Sequence, residues 1–128
     1  MKLTRNFSKW EFECKDGSEM PATVLGNVNK LAHALQVIRD VIQEPIGITS
    51  SYRSLEYNRT IGSTDTSQHV LGKAADLQID GVEPLELYEI IEFLIDLEHI
   101  PQGGLGLYNT FVHYDIRGYE ARWDNRTK

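Results

Sequence analysis

The sequence predicts an α+β domain in which a mostly antiparallel sheet is covered on one face by helices. Two long stretches repeat apolar residues at spacings of three and four, the pattern of helices with one buried face. Short β-branched or alternating runs lie between and after them and indicate strands. The predicted order is helix, strand, short helix, strand, helix and two strands.

Both long helices are bounded by residues that start or stop helices. The first is predicted over residues 21–43, and Pro45 disfavours a helical conformation in the residue before it. The second is expected to begin at Pro84, because proline is favoured in the first turn of a helix. A short capped helix is predicted between them, from residue 54 to about residue 62.

Four segments have the character of strands. They are predicted over residues 46–52, 74–79, 103–108 and 111–117. The last two should form a hairpin about Asn109 and Thr110. The tail, residues 118–128, is polar except for Tyr119 and Trp123 and is assigned to no element.

The length and composition fit one compact domain over residues 1–128. Hydrophobic residues make up 41% of the chain, enough for a core without disulfides, and the single cysteine, Cys14, excludes an internal one. The net charge of −6, with both signs interspersed, argues against nucleic acid or an anionic membrane as the main partner. We expect a monomer.

The amino terminus has no apolar run behind its charged residues, so no signal peptide is predicted and the chain is expected to be synthesised in the cytoplasm. No stretch approaches the roughly 20 apolar residues of a membrane span, so no membrane insertion is expected.

Three residues of types that bind zinc occupy unusual places. His69 lies in a turn that enters a predicted strand, Asp76 lies within that strand, and His113 lies in the middle of the last strand. A catalytic zinc takes three protein ligands from histidine and carboxylate and keeps a fourth position open. Neighbouring strands lie only about 4.8 Å apart, so they could bring such ligands together.

Each of these residues alone is weak evidence, because a strand histidine is more often a hydrogen-bonded core residue than a ligand. Asp76 is more unusual, since an unpaired buried carboxylate is costly and needs a cation. Arg53 and zinc are both candidates for that cation. Only zinc also explains the two histidines.

The pattern Ser67-x-His69-x-x-Gly72-x-Ala74-x-Asp76, followed by a strand with His113, resembles the zinc D-alanyl-D-alanine carboxypeptidases and their phage endolysin relatives. These form the peptidase M15 family, and their metal-site architecture is shared with the VanX-type dipeptidases and the hedgehog group. The resemblance extends over nearly the whole chain and includes the strand before Arg53, Gly104-Leu105-Gly106 and Ala121-Arg122-Trp123.

The resemblance implies a hedgehog/D-Ala-D-Ala-peptidase-like fold with zinc bound by His69, Asp76 and His113. It also implies that Arg53 faces the substrate and polarises or anchors the carbonyl or carboxylate beside the scissile bond. An arginine there could instead form a surface ion pair. The implied substrate is a peptidoglycan stem peptide.

One position departs from the family pattern. Many relatives carry an acidic general base three residues before the last histidine ligand, and Thr110 stands there. Asp115 projects from the same strand face as His113 and is the candidate substitute. It could accept the proton of the water, orient His113 as a hydrogen-bonding carboxylate, or form a salt bridge with Arg117 or Arg122. Glu120 and His99 are weaker candidates for the base.

Three further residues are candidates for contact with the substrate. Ser67 could bond either the backbone or the substrate, and the structural role is favoured. Tyr108 and Trp123 could flank the cleft and pack against the peptide, or could belong to the core.

The sequence therefore predicts a zinc-dependent peptidase that hydrolyses an amide bond in peptidoglycan stem peptides. Within the family, small members without a signal peptide resemble phage endolysins, released to the cell wall through a holin pore. One alternative is a D-Ala-D-Ala carboxypeptidase or dipeptidase. Another is a non-catalytic module that retains zinc and binds the cell wall or a phage tail.

Overall fold

The computed structural model describes residues 1–127 and confirms the α+β class. After a short 3-10 helix, Lys9–Phe12, come three α-helices and five strands. The helices are α1 (Ala22–Ile42), α2 (Leu55–Thr60) and α3 (Pro84–Asp96). The strands are β1 (Gly47–Ser50), β2 (Ala74–Gln78), β3 (Gly104–Leu107), β4 (Val112–Asp115) and β5 (Ala121–Asp124).

The two long helices follow the apolar stripes from which they were predicted. Helix α1 ends where Gln43 adopts a left-handed conformation with φ of 61° and donates its N–H to the Arg39 carbonyl. Helix α3 has Pro84 in its first turn. Their buried residues are Val28, Leu31, Ala32, Ala34, Leu35 and Ile38 in α1 and Leu87, Ile91, Leu94 and Ile95 in α3. No described helix is both long enough and apolar enough to cross a membrane.

The five strands form one sheet in the order β1-β2-β4-β3-β5. Strand β2 pairs antiparallel with β1 and β4, and the predicted β3–β4 hairpin is also antiparallel. The mostly antiparallel sheet is thus confirmed, with one exception, because β5 runs parallel to β3.

Strand β5 was not expected in the polar tail. All four of its residues are at least partly exposed, because β5 lies at the edge of the sheet. A strand with neither face fully buried needs no regular alternation of apolar and polar residues, so its sequence carries little strand signal.

The two faces of the sheet have different roles. One face supplies Leu77, Leu105, Leu107, Val112 and Tyr114 to the hydrophobic core, where they pack with the buried residues of α1 and α3. The alternation of side chains along a strand sends their neighbours to the other face. That second face holds a row of directly opposed residues across four neighbouring pairs of strands, namely Ser50, Asp76, His113, Gly106 and Trp123.

Candidate metal centre

The second face of the sheet brings His69, Asp76 and His113 together. Each offers one ligand atom, and these atoms all lie within 4.8 Å of one another. Asp76 and His113 are opposite partners on β2 and β4, and His69 approaches from the turn before β2. All three residues are buried, with exposed fractions of 4%, 7% and 7%.

Each imidazole is oriented by a bond from the ring nitrogen that points away from this cluster. Nδ1 of His69 lies 2.7 Å from the Ser51 carbonyl, to which it donates. Nε2 of His113 lies 2.6 Å from Oδ2 of Asp115 and donates to that carboxylate. With these hydrogens placed outward, His69 Nε2 and His113 Nδ1 present lone pairs to the centre.

Asp76 completes the cluster with an oxygen that lacks a partner. Its Oδ1 is buried and has no hydrogen-bond partner among the described residues, although His69 Nε2 and His113 Nδ1 lie 3.4 and 3.3 Å away. Burial raises the pKa of Asp76, but the two imidazoles lower it, and the resulting pKa is well below its usual range. A buried anion facing two nitrogen lone pairs requires a cation.

The donor set fits a divalent metal ion. Two imidazole nitrogens and one carboxylate oxygen form the three-ligand set of catalytic metal sites, which leave further positions for water or substrate. The ligands lie in the wall of a cavity of about 390 Å³. A metal held here would therefore be reachable from solvent.

Four other residues that the sequence singled out line the same cavity: Arg53, Ser67, Tyr108 and Trp123. Ser67 Oγ also accepts the His69 backbone N–H at 3.2 Å, which supports its structural role. The weaker base candidates lie elsewhere. Glu120 does not line the cavity, and His99 lines a different, apolar cavity beside α3.

Arg53 is held beside the cluster by three polar contacts. Its Nε donates to Ser50 Oγ at 3.1 Å, its Nη1 donates to Asn58 Oδ1 at 3.3 Å, and its Nη2 lies 3.6 Å from Asp76 Oδ2. The Arg53 side chain is 13% exposed, so its contact with Asp76 is not a surface ion pair. It presents a fixed positive charge to the cavity.

Asn58 is a residue that the sequence did not indicate. It lies on α2 with no exposed surface, and its Nδ2 donates to the Thr64 carbonyl at 2.7 Å. Thr64 belongs to the loop that lines one side of the cavity. Asn58 therefore ties this loop and Arg53 to the same helix.

Replacing Asn58 with alanine should lower the free energy of unfolding by about 1–3 kcal/mol, because Arg53 and the Thr64 carbonyl lose a buried partner. Urea unfolding measures this loss. Asn29→Ala, at an exposed position on α1, is the control and should change stability by less than about 0.5 kcal/mol. Equal effects of the two substitutions would contradict the role given to Asn58.

Asp115 lies behind His113 rather than in the cavity. It has no exposed surface, and its Oδ1 accepts the Gly104 N–H at 2.8 Å and Arg117 Nε at 2.9 Å. Its Oδ2 accepts hydrogen bonds from His113 Nε2 and Arg117 Nη2. Burial raises the pKa of Asp115, but His113 and Arg117 bring it well below its usual range.

These contacts bear on the hypothesis that Asp115 is the general base. A carboxylate without exposed surface, whose two oxygens already accept five hydrogen bonds, one of them from the Arg117 backbone N–H at 3.1 Å, has no access to a water in the cavity. The geometry instead favours the orienting role. Asp115 also forms a salt bridge with Arg117. It forms none with Arg122, which pairs with Glu92 at 2.8 Å.

Two glycines of β3 make room for the site. A Cβ on Gly104 would lie 2.2 Å from Asp115 Oδ2, and one on Gly106 would lie 2.2 Å from Trp123 Nε1. The Gly-Leu-Gly sequence thus admits the Asp115–Arg117 pair and the Trp123 indole. This requirement was invisible in the sequence, where glycine also marks ordinary turns.

Replacing Gly106 with alanine should displace the Trp123 indole and lower the free energy of unfolding by about 1–3 kcal/mol through overpacking. Gly26→Ala is a matched control, because its added Cβ on α1 would meet nothing within 4 Å and should raise stability by up to about 1 kcal/mol. Urea unfolding followed by tryptophan fluorescence measures both. A neutral Gly106→Ala would show that the indole is not held as described.

Two other cavity residues, Phe111 and Arg117, were also not assigned a place in the site from the sequence. Phe111 is two residues before His113 on the same face, and this period-2 relation is the signal that could have indicated it. Arg117 was considered only as a partner of Asp115.

Comparison with known proteins and protein families assigns the chain to a family. No curated protein matches the chain. The family model described as Peptidase M15 matches residues 2–115, which include His69, Asp76 and His113. The chain therefore belongs to the peptidase M15 family, whose members are metal-dependent peptidases.

Proposed function

We propose that the protein is a zinc-dependent peptidase that hydrolyses an amide bond in peptidoglycan stem peptides, with the role of a phage-type endolysin at the cell wall. The observation that carries the metal chemistry is the unpartnered Asp76 Oδ1 between two imidazole nitrogens at the wall of an open cavity. The stem-peptide substrate and the endolysin role rest on the resemblance to that branch of the family.

His69, Asp76 and His113 would hold the zinc. Zinc, when bound, supplies a nucleophile at neutral pH, because it lowers the pKa of water to about 7. Asp115 keeps the His113 ring in the tautomer that offers Nδ1 to the cluster. The Ser51 carbonyl keeps the His69 ring in the tautomer that offers Nε2 to the cluster.

Arg53 would bind the substrate. Its guanidinium lines the cavity beside the ligand cluster, where it can donate hydrogen bonds to a carbonyl oxygen or a carboxylate of the substrate. Arg117 adds a second cation to the wall, and Asp76 is the one carboxylate among the described lining residues. This charge balance suits stem peptides, which carry carboxylates.

A second candidate is the non-catalytic module that binds the cell wall or a phage tail. It is favoured by one observation: no carboxylate except Asp76 lines the cavity within the described part of the chain, so none is free to act as a base. A carboxypeptidase or dipeptidase is a variant of the first proposal, with Arg53 on the terminal carboxylate of the substrate.

Mass spectrometry of purified peptidoglycan, incubated with the protein with and without a zinc chelator, tests the proposal. New peptide termini that the chelator suppresses would support a metallopeptidase. A freed L-alanine end indicates an endopeptidase, and loss of one terminal D-alanine indicates a carboxypeptidase. A protein that holds about one zinc per chain and cuts no bond would favour the binding module.

A further inference from the structure

Three aromatic side chains form a wall of the cavity, on the side away from Arg53. The rings of Tyr108 and Phe111 are stacked, with centroids 4.3 Å apart and an angle of 10° between their planes. The indole of Trp123 lies against His113, with ring centroids 5.0 Å apart, and its Nε1 donates to the Tyr108 hydroxyl at 2.9 Å. Tyr108 is thus fixed in the cavity wall by stacking on Phe111 and by a hydrogen bond from an indole that lies against the candidate metal ligand His113.

The direction of that hydrogen bond leaves the phenol proton free. The Tyr108 oxygen accepts from Trp123 Nε1 and, at 3.5 Å, from Asn125 Nδ2, and it donates to no acceptor among residues 1–127. A tyrosine hydroxyl has one hydrogen besides its acceptor capacity. Because donors occupy the acceptor side of the oxygen, the hydrogen is available to a group in the cavity.

We propose that Tyr108 is a catalytic hydrogen-bond donor, which donates to the carbonyl oxygen of the scissile amide as that oxygen gains negative charge. Trp123 is its positioning residue. The inference rests on the proposed hydrolysis and adds to it a role for the aromatic wall. Tyr108 keeps its proton throughout, so its own O–H bond is not broken and its role needs no further reactant.

The arrangement suits this role for two reasons. Donors that are already oriented before the reaction stabilise a developing oxyanion without further reorganisation, and removal of one such donor lowers kcat by about 10²–10³-fold. The sheet order also places Arg53, beyond β1, and Tyr108, after β3, on opposite sides of the β2 and β4 ligands. A carbonyl above the ligands could therefore receive hydrogen bonds from two directions.

Kinetics of single and double variants test the proposal. Tyr108→Phe keeps the stacked ring and removes the hydroxyl, so kcat should fall by about 10²-fold while KM changes by less than about threefold. Trp123→Phe should lower kcat less, and the double variant should be no slower than Tyr108→Phe, because Trp123 acts through Tyr108. Tyr88→Phe, on α3 outside the cavity, is the control for loss of a phenol and should leave both constants unchanged.

A rise in KM at constant kcat would mean that Tyr108 only packs against the substrate, and would overturn the proposal. Multiplicative losses in the double variant would overturn the positioning role of Trp123.

A binding measurement separates this inference from the proposed function. Acetohydroxamic acid places oxygen atoms at a bound zinc, and titration calorimetry measures its affinity for the zinc-loaded protein without any turnover. Tyr108→Phe should bind it about tenfold more weakly than the unsubstituted protein, and Tyr88→Phe should bind it equally well. Equal affinity of Tyr108→Phe and the unsubstituted protein would overturn the donor role, whether or not the protein cuts peptidoglycan.

Discussion

Replacing Asp76 with alanine is expected to abolish metal binding and peptidase activity together. Asp76 supplies the one anionic ligand atom of the cluster, and its Oδ1 lies within 3.4 Å of both ligand nitrogens. The two remaining imidazoles cannot neutralise the charge of the ion or complete a three-ligand site. Because the metal contributes several kcal/mol of transition-state stabilisation, turnover should fall by at least about 10³-fold.

Metal content and thermal stability measure this loss without an assay. The unsubstituted protein should carry about one zinc per chain and melt at a higher temperature when zinc is added, because a ligand that binds only the folded state stabilises it. Asp76→Ala should show neither property. Asp40→Ala removes an exposed carboxylate that pairs with Arg5, and it is the matched control that should retain both. Stoichiometric zinc in Asp76→Ala would show that the ligand set is different.

The sequence predicted the main elements of the fold because local patterns determine them. The stripes of α1 and α3 are long enough to distinguish a helix from a strand, and Pro84 and Pro45 mark a beginning and an end. Strands β2, β3 and β4 are almost entirely buried, and the edge strand β1 packs its partly buried Ile48 against the core, so all four carry an apolar signal. The edge strand β5 is buried on neither face and carried none.

The candidate site was accessible from the sequence only in part. Histidine and aspartate are residue types that bind metal ions, so His69, Asp76 and His113 suggested a metal before their positions in the fold were known. The roles of Asn58 and Gly106 depend on contacts that arise only in the folded chain, such as the hydrogen bond from Arg53 to Asn58 or the packing of the Trp123 indole over Gly106. Residue type alone contains no information about such contacts.

Replacing Asp115 with asparagine should weaken metal binding rather than remove the chemistry. The asparagine carbonyl can still accept from His113 Nε2, but the ring loses a charged partner and Arg117 loses its ion pair. Loss of such a partner behind a metal ligand typically lowers metal affinity by about 10–100-fold. The unpaired Arg117 should also lower the free energy of unfolding, by an amount on the order of 2 kcal/mol.

Measurement of kcat against free zinc concentration distinguishes the two roles considered for Asp115. If Asp115 orients His113, the Asp115→Asn protein recovers most of its turnover once zinc saturates the weakened site. If Asp115 is the general base, turnover stays abolished at every zinc concentration, even though zinc is bound. Glu120→Gln, at the exposed alternative base, should behave like the unsubstituted protein. Full burial of the Asp115 carboxylate behind His113 leads us to expect recovery with zinc.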